Sequence, residues 1–365
     1  MNFINHKPSP LLITIILAVV LGFAAGLVGA SLRRVEPDFI FDNQLNSGNI
    51  QELIRLSRYS GLKNDLQAEL VAELVRPKIA ALYAKKAQSS DPVGSLYDEK
   101  NLLGFGIILT NDGWILTSAD ALKVSRDKIV VEINNQFYQI QQQINDTVAK
   151  TVFLKIDALN LPVAKLGVAS DIQLAQTVLI LNLPQEILLN QIKSLNNKNQ
   201  TSAVISTETY SDYLAFNLPL ENAYPGAPVV NLSGEIIGIV SNNLAVPVNY
   251  FRPVIESVLK NGFVNRPALG VNYLDLSSAP GLSPDYSHGL ERGALVVSQP
   301  KQNTAAAASG LKKDDIILKV DGQNVSSREP LTNLIQSYQA GELIYLTVNR
   351  AGLEITIEVY LGAIE

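Results

Sequence analysis

From Leu102 onward the chain is written as short apolar runs separated by turn residues: LLGFGIILT, Asn111-Asp112-Gly113, WILTS, then KIVVEI, TVFLKI, TVLILNL, SAVIS and EIIGIVS. This pattern constrains the fold more than any other feature, because runs of roughly five to nine residues match strands and are too short for most helices. Asp-Gly between two β-rich runs predicts a tight hairpin. The regular spacing of the other runs predicts an antiparallel barrel or sandwich. The next segment, VNYFRPVIESVLKNG, has helical periodicity and a closing Gly262. Arg266-Pro267 then opens a second β-rich unit with runs ALGVNYL, ALVVSQ, DIILKVDG, LIYLTVNR and LEITIEVYL, and a helix near LTNLIQSYQ. The boundary between the two units is placed at residues 262–267. Upstream, Gln67–Ala87 has helical character, but Pro77 should end or kink that helix.

The other end of the chain is apolar. From Leu11 to Leu32 run 22 residues without a charge, LLITIILAVVLGFAAGLVGASL. At about 1.5 Å per helical residue they are long enough to cross a hydrocarbon core. The expected layout is a tail at 1–10, a single transmembrane helix at 11–32, a stalk at 33–70, the first folded domain at 71–262 and the second at 264–365. A cleaved signal peptide ending near Val28-Gly29-Ala30 is the alternative. The apolar stretch is longer than a usual signal core, and only Lys7 supplies a basic flank. Charge does not choose the orientation, since Lys7 lies on one side and Arg33 with Arg34 on the other.

Composition excludes several function classes. The chain has no cysteine, which removes disulfides, thiolate nucleophiles and cysteine-based zinc sites. A net charge of −5 with no long basic run leaves no electrostatic footprint for nucleic acid. No motif calls for a cofactor or a metal. Of 365 residues only His6 and His288 are histidine.

Several motifs carry a family resemblance. GFGIILTNDGWILTSADAL resembles the first hairpin of the HtrA-family trypsin-like domain, where a similar G-x-G hairpin leads to T-N-x-H-V. TVFLKIDALNLPVAKLG resembles the D-L-A-V-L-K-I segment of that family, and APVVNLSGEIIGIVS the G-P-L-V-N-x-x-G-E-V-I-G-I stretch after its catalytic serine. RPALGV, GALVVSQ, ASGLKKDDIILKVDG and LIYLTVNRAGLEITIEVYLG look like an HtrA-type PDZ domain in its usual order. The resemblance covers roughly residues 70 to 363, and its strength lies in the co-linearity of many short motifs. It implies a mostly β protein, a trypsin-like double β-barrel followed by a PDZ domain.

The same register places Asp120 at the family's histidine, Lys150 at its aspartate and Pro225 at its serine. G-N-S-G-G-P is here Ala223-Tyr224-Pro225-Gly226-Ala227-Pro228. All three triad members are replaced. Acyl transfer by this route needs a hydroxyl nucleophile and an imidazole that takes and returns its proton. The resemblance also assigns one oxyanion-hole donor to the serine's own N–H, and proline has none. A serine–lysine dyad using Ser118 or Ser211 is conceivable. The opposite charges at positions 120 and 150 predict an Asp120–Lys150 ion pair.

With the chemistry removed, binding falls to the PDZ-like domain. PDZ domains add a peptide, usually a C-terminus, as a strand and hold its carboxylate on backbone N–H groups of one loop. The corresponding loop here is Ala268-Leu269-Gly270-Val271, with Leu269 and Ile335 expected to wall the pocket and Arg266 expected to add positive charge. Core packing of Leu269 and Ile335, or a solvated Arg266, is the plainer alternative. His288 reads as an ordinary loop histidine. The resulting expectation is a single-pass protein of the cell membrane, its folded domains extracytoplasmic. It is proteolytically inactive and binds peptide or protein C-termini or misfolded segments as a scaffold, sensor or regulator in protein quality control. An active HtrA-type serine endopeptidase is the alternative. A homo-trimer, through the segment Val71–Tyr83, or a mixed oligomer with active relatives is the expected assembly.

Overall fold

A computed structural model describes residues 66–364, apart from 88–90, 183–185, 199–202, 211 and 221–222. The expected tail, membrane segment 11–32 and most of the stalk lie outside the described residues. Among the described residues no helix is long and apolar enough to cross a membrane.

A helix at 66–75 stops where Pro77 predicts, and after one tight turn at Arg76–Lys78 the chain becomes strand. The first barrel is built from β1 (Ile79–Ala84), β2 (Leu102–Ile108), β3 (Trp114–Ser118), β4 (Ile129–Ile133), β5 (Gln136–Asp146) and β6 (Thr151–Ile156), closed in the order β1-β2-β3-β6-β5-β4. The predicted hairpin joins β2 to β3. Its Gly113 has φ 104°, and a Cβ there would stand 2.5 Å from the Ile156 carbonyl oxygen, so both the turn and the close approach require glycine. Every residue of β3 is buried. Ile115 points into the first barrel's own core, while Leu116 joins the larger core shared with the second barrel. A strand covered on both faces has no need of polar alternation, which accounts for the continuous apolar run.

The second barrel comprises β7 (Thr177–Asn182), β8 (Glu186–Lys198), β10 (Asp212–Phe216), β11 (Pro228–Asn231), β12 (Ile236–Ser241) and β13 (Leu244–Pro247), closed in the order β10-β13-β12-β11-β7-β8. The short β9 (Val204–Ser206) lies between β8 and β10 in the chain but leaves this barrel. The helix Val248–Asn261 follows, with Gly262 at φ 76° donating its N–H to the Val258 carbonyl, the left-handed stop that the sequence announces.

The remaining strands are β14 (Pro267–Ala268), β15 (Asn272–Asp275), β16 (Ala294–Val296), β17 (Ile316–Val320), β18 (Gln323–Asn324), β19 (Leu343–Arg350), β20 (Leu353–Tyr360) and β21 (Gly362–Ala363). The main sheet runs β20-β19-β17-β16-β15, and β9 is its last strand. SAVIS, grouped by its spacing with the barrel strands, therefore belongs to the other sheet. Both barrels and this sheet fall in one compact unit, residues 62–365.

The junction is held by a buried cation. The Arg266 side chain is 1% exposed, and its guanidinium grips Asp146 at the end of β5 in a two-pronged contact, Nε to Oδ1 at 2.9 Å and Nη2 to Oδ2 at 2.5 Å. It also donates to Tyr210 Oη, the Tyr250 carbonyl and Gln336 Oε1. Tyr210 stacks on Tyr250 with ring centroids 3.4 Å apart. Burial alone would lower the guanidinium's pKa, but Asp146 and Tyr210 hold it above the ordinary value.

Two outcomes follow from this junction. Arg266→Ala leaves the Asp146 carboxylate buried without its partner and is expected to cost about 3–5 kcal/mol in urea unfolding. The double replacement Arg266→Met/Asp146→Leu should cost far less. Burial pushes the hydroxyls of Tyr210 and Tyr273 up to about 12, from 10.0 in an exposed tyrosine. Groups raised on folding stabilise fully below the unfolded pKa and lose that contribution as pH climbs to the folded one. Melting temperature should therefore hold up to about pH 10 and fall toward pH 12, together with the rise of tyrosinate absorbance.

Candidate functional site

Asp120 and Lys150 flank the β3–β6 pair of the first barrel, and Pro225, just before β11 of the second, reaches β2 of the first through its carbonyl. Asp120 sits in the short turn after β3, where the Ser118 hydroxyl accepts its N–H at 3.2 Å. Its carboxylate accepts the Ser241 hydroxyl at 2.6 Å, from the end of β12, and that of Ser118 at 3.4 Å. Burial, and then the Asp120 charge, push the neighbouring Tyr213 hydroxyl's pKa up. Lys150 is adjacent only through its backbone, whose carbonyl accepts the Ala119 N–H at 2.9 Å. Its φ is 53° and its side chain is exposed. No ion pair joins it to Asp120 among the described residues, whose salt bridges all lie elsewhere. The predicted Asp120–Lys150 pair is thus corrected: a hydroxyl replaces the ammonium as partner, and desolvation of two charges is avoided.

At position 225 the chain is pinned on both sides. The Pro225 carbonyl accepts the Phe105 N–H at 2.8 Å. Gly226, at φ 80°, packs so tightly that a Cβ would stand 1.9 Å from the Phe105 carbonyl oxygen. The backbone donors of residues 223–226 are all engaged or missing. Ala223 donates to the Leu220 carbonyl, Tyr224 to Asn182 Oδ1 and Gly226 to the Val240 carbonyl, while Pro225 has no N–H. Tyr224 lies edge-on to Phe105 at 5.7 Å and donates its hydroxyl to Glu99. Its hydroxyl pKa is raised by burial and by that carboxylate. Ser118 is fully buried and bonded to Asp120, which leaves no serine–lysine pair there; Ser211 lies outside the described residues.

The loop Ala268–Val271 runs from β14 into the start of β15. Leu269, Val271 and Ile335 are buried in one core with Tyr273 and Ile344. Gly270 has φ 85°, and a Cβ would stand 2.4 Å from the Thr304 side chain. Ala268 pairs with Gly362 through β14 and β21. Arg266 is the correction. Its guanidinium is turned to Asp146 and neutralised there, rather than being offered to a ligand carboxylate. The loop's own donors are taken: Leu269 and Gly270 both donate N–H to Glu208 Oε1, at 3.1 and 2.8 Å, and Val271 donates to Thr207 Oγ1 at 3.1 Å. Sequence reasoning missed Glu208, Thr207, Gln336, Asp146 and Ser241. Each acts on a residue far away in the chain, and no local motif marks any of them.

Comparison with known proteins agrees with this fold. Residues 104–239 match the trypsin-like peptidase domain and residues 267–361 the PDZ domain. A probable periplasmic serine endoprotease, DegP-like, from Halomonas elongata is 28% identical over 284 residues, covering 73% of this chain and 57% of that protein. A DegP-like relative from Pseudomonas fluorescens is 29% identical over 298 residues, covering 76% of this chain and 60% of that one. The chain thus spans less than two thirds of the length of these relatives. Among solved structures, the HtrA-type protease AlgW with a tripeptide matches at TM-score 0.61 and 24% identity, over 82% of this chain and 97% of that one. AlgW with a decapeptide matches at TM-score 0.60 and 22% identity, over 82% and 99%. The fold is a trypsin-like double β-barrel with a C-terminal PDZ domain, the domain order of the HtrA/DegP-type proteases.

A double-mutant cycle tests the corrected pairing. Asp120→Ala and Lys150→Ala should add within about 0.5 kcal/mol, while Asp120→Ala and Ser241→Ala should be non-additive by about 1 kcal/mol.

Proposed function

We propose that this chain is a membrane-anchored, proteolytically inactive HtrA-like protein whose PDZ domain binds peptide C-termini or misfolded segments, as a scaffold, sensor or regulator in protein quality control. The observation that carries this reading is position 225. A residue with no nucleophile and no N–H stands where the family's serine would be, flanked by N–H groups already committed to other acceptors. The proton carrier is missing as well, since neither of the two histidines, His6 and His288, lies in the barrels. Loss of the triad in an active enzyme leaves a residual rate on the order of 10³ to 10⁴ over water that depends on the oxyanion hole, and without a donor at position 225 that remnant is lost as well.

The binding half of the reading is supported by the PDZ match and by the loop Ala268–Val271, whose consecutive N–H groups converge on a carboxylate oxygen. Relatives named as periplasmic support folded domains outside the cytoplasm, and the uncharged run 11–32 supports a membrane anchor. The helix at 66–75 supports self-assembly or assembly with active relatives. It buries Val71, Ala72 and Val75 against the barrel core, while Leu66, Leu70 and Leu74, four apart, remain exposed. The competing reading, an active serine endopeptidase, has the relatives' named activity behind it and the site geometry against it.

A fluorophosphonate probe separates the two readings. The folded chain should take up no label at any serine, and stoichiometric labelling of one serine would establish an active enzyme. The binding half is checked by calorimetry with a free-acid peptide ending in an apolar residue and its amidated twin. Amidation should abolish binding, and equal affinities would rule out carboxylate capture at 268–271.

A further inference from the structure

The PDZ groove already holds a strand, and that strand comes from the barrel side of the same chain. β9 pairs antiparallel with β15, setting Ser206 opposite Asn272, Ile205 opposite Tyr273 and Val204 opposite Leu274. The chain direction therefore carries residues 204 to 208 toward the loop Ala268–Val271, as a bound C-terminus would run. Thr207 donates its N–H to the Val271 carbonyl at 3.0 Å, and its Oγ1 accepts the Val271 N–H. Glu208 then supplies a carboxylate to the N–H groups of Leu269 and Gly270. The opposite wall closes on the same segment. Thr332, on the helix Leu331–Ile335, donates to the Ser206 carbonyl at 3.1 Å, and Gln336, just after it, donates to the Thr207 carbonyl at 3.2 Å. Ile205 is 5% exposed and packs in the PDZ core with Leu269, Val271 and Ile335.

We propose that Val204–Glu208 is a built-in ligand of this groove, with the Glu208 side chain standing in for a chain-terminal carboxylate, and that an external C-terminus binds only by displacing it. The proposal rests on the reading that the PDZ domain captures C-termini, and it adds the competitor and the preference. A terminal carboxylate needs the three donors of Leu269, Gly270 and Val271, and all three are occupied. The seat of the internal strand also describes the displacing peptide. Its last residue would lie at the position of Thr207, and an aliphatic side chain two residues earlier would replace Ile205. A tethered segment competes at high effective concentration, so the apparent affinity for a free peptide falls in proportion to the fraction of time the groove is open. A groove open about 1% of the time weakens binding about 100-fold.

The test uses the full chain and two readouts. Amide hydrogen exchange over residues 268–271 reports the internal seat directly. Fluorescence anisotropy with a fluorescein-labelled decapeptide ending in Ile-Ser-Val, as free acid and as amide, reports the competition. In Glu208→Ala, exchange at Leu269 and Gly270 should quicken at least tenfold, and the free-acid peptide should bind at least tenfold more tightly than to the unaltered protein. Ile205→Ser, which withdraws the apolar anchor instead, should act in the same direction. Unchanged exchange in both variants would overturn the internal seat. Equal free-acid affinity in the unaltered protein and both variants would overturn the competition while leaving C-terminus capture standing. Faster exchange with no peptide bound by any of the proteins would uphold the internal seat and overturn the C-terminus reading instead.

Discussion

The buried pair of Arg266 and Asp146 is the constraint on which the arrangement of this molecule depends. One guanidinium is satisfied at once by the end of β5, by Tyr210 beyond β9, by the Tyr250 carbonyl of the helix Val248–Asn261 and by Gln336 of the PDZ domain. Four parts of the chain thereby meet at one cation. Such a pair adds little net stability, because desolvation offsets most of the attraction, yet any displacement of its partners strands a charge. Its consequence is positional. Gln336 also donates to the carbonyls of Thr207 and Pro267, so the residue that contacts the arginine is the one that clamps the strand in the groove.

The seam around position 225 keeps the strands of the trypsin-like fold while its polar groups are paired with one another. The strands that position a nucleophile are intact, and Gly226 still makes the close turn beneath it. On the proposed reading, the difference from an active site lies in the local supply of protons and donors. Ser241 completes the hydrogen bonding of Asp120, Leu220 and Asn182 accept the donors flanking position 225, and Tyr224 folds over Phe105. Among residues 223–226 no N–H is left unpaired for an oxyanion, which supports the proposed loss of acyl transfer.

Local physics made much of this architecture legible. Asp112-Gly113 marked the first hairpin, Pro77 the end of the first helix and Gly262 the end of another, each through a backbone preference confined to a few residues. The order of motifs gave the two barrels and the PDZ domain. What stayed hidden was long-range. Arg266 meets Asp146 across 120 residues, and Glu208 meets Gly270 across 62. SAVIS has the same β character whichever sheet it joins, so spacing assigned it to the wrong one. Opposite charge suggested a partner for Asp120, but the left-handed backbone at Lys150 accompanies an exposed side chain, and a serine fills its place.

The central claim is a protease fold that binds without cutting, and a cleavage assay with the groove filled tests it most directly. The full chain is incubated with unfolded casein in the presence and absence of a saturating free-acid peptide ending in an apolar residue, and fragments are followed by mass spectrometry. The account requires intact casein under both conditions, because filling the groove supplies neither a nucleophile nor an N–H at position 225. Casein cleavage that appears, or accelerates, on addition of the peptide would contradict it.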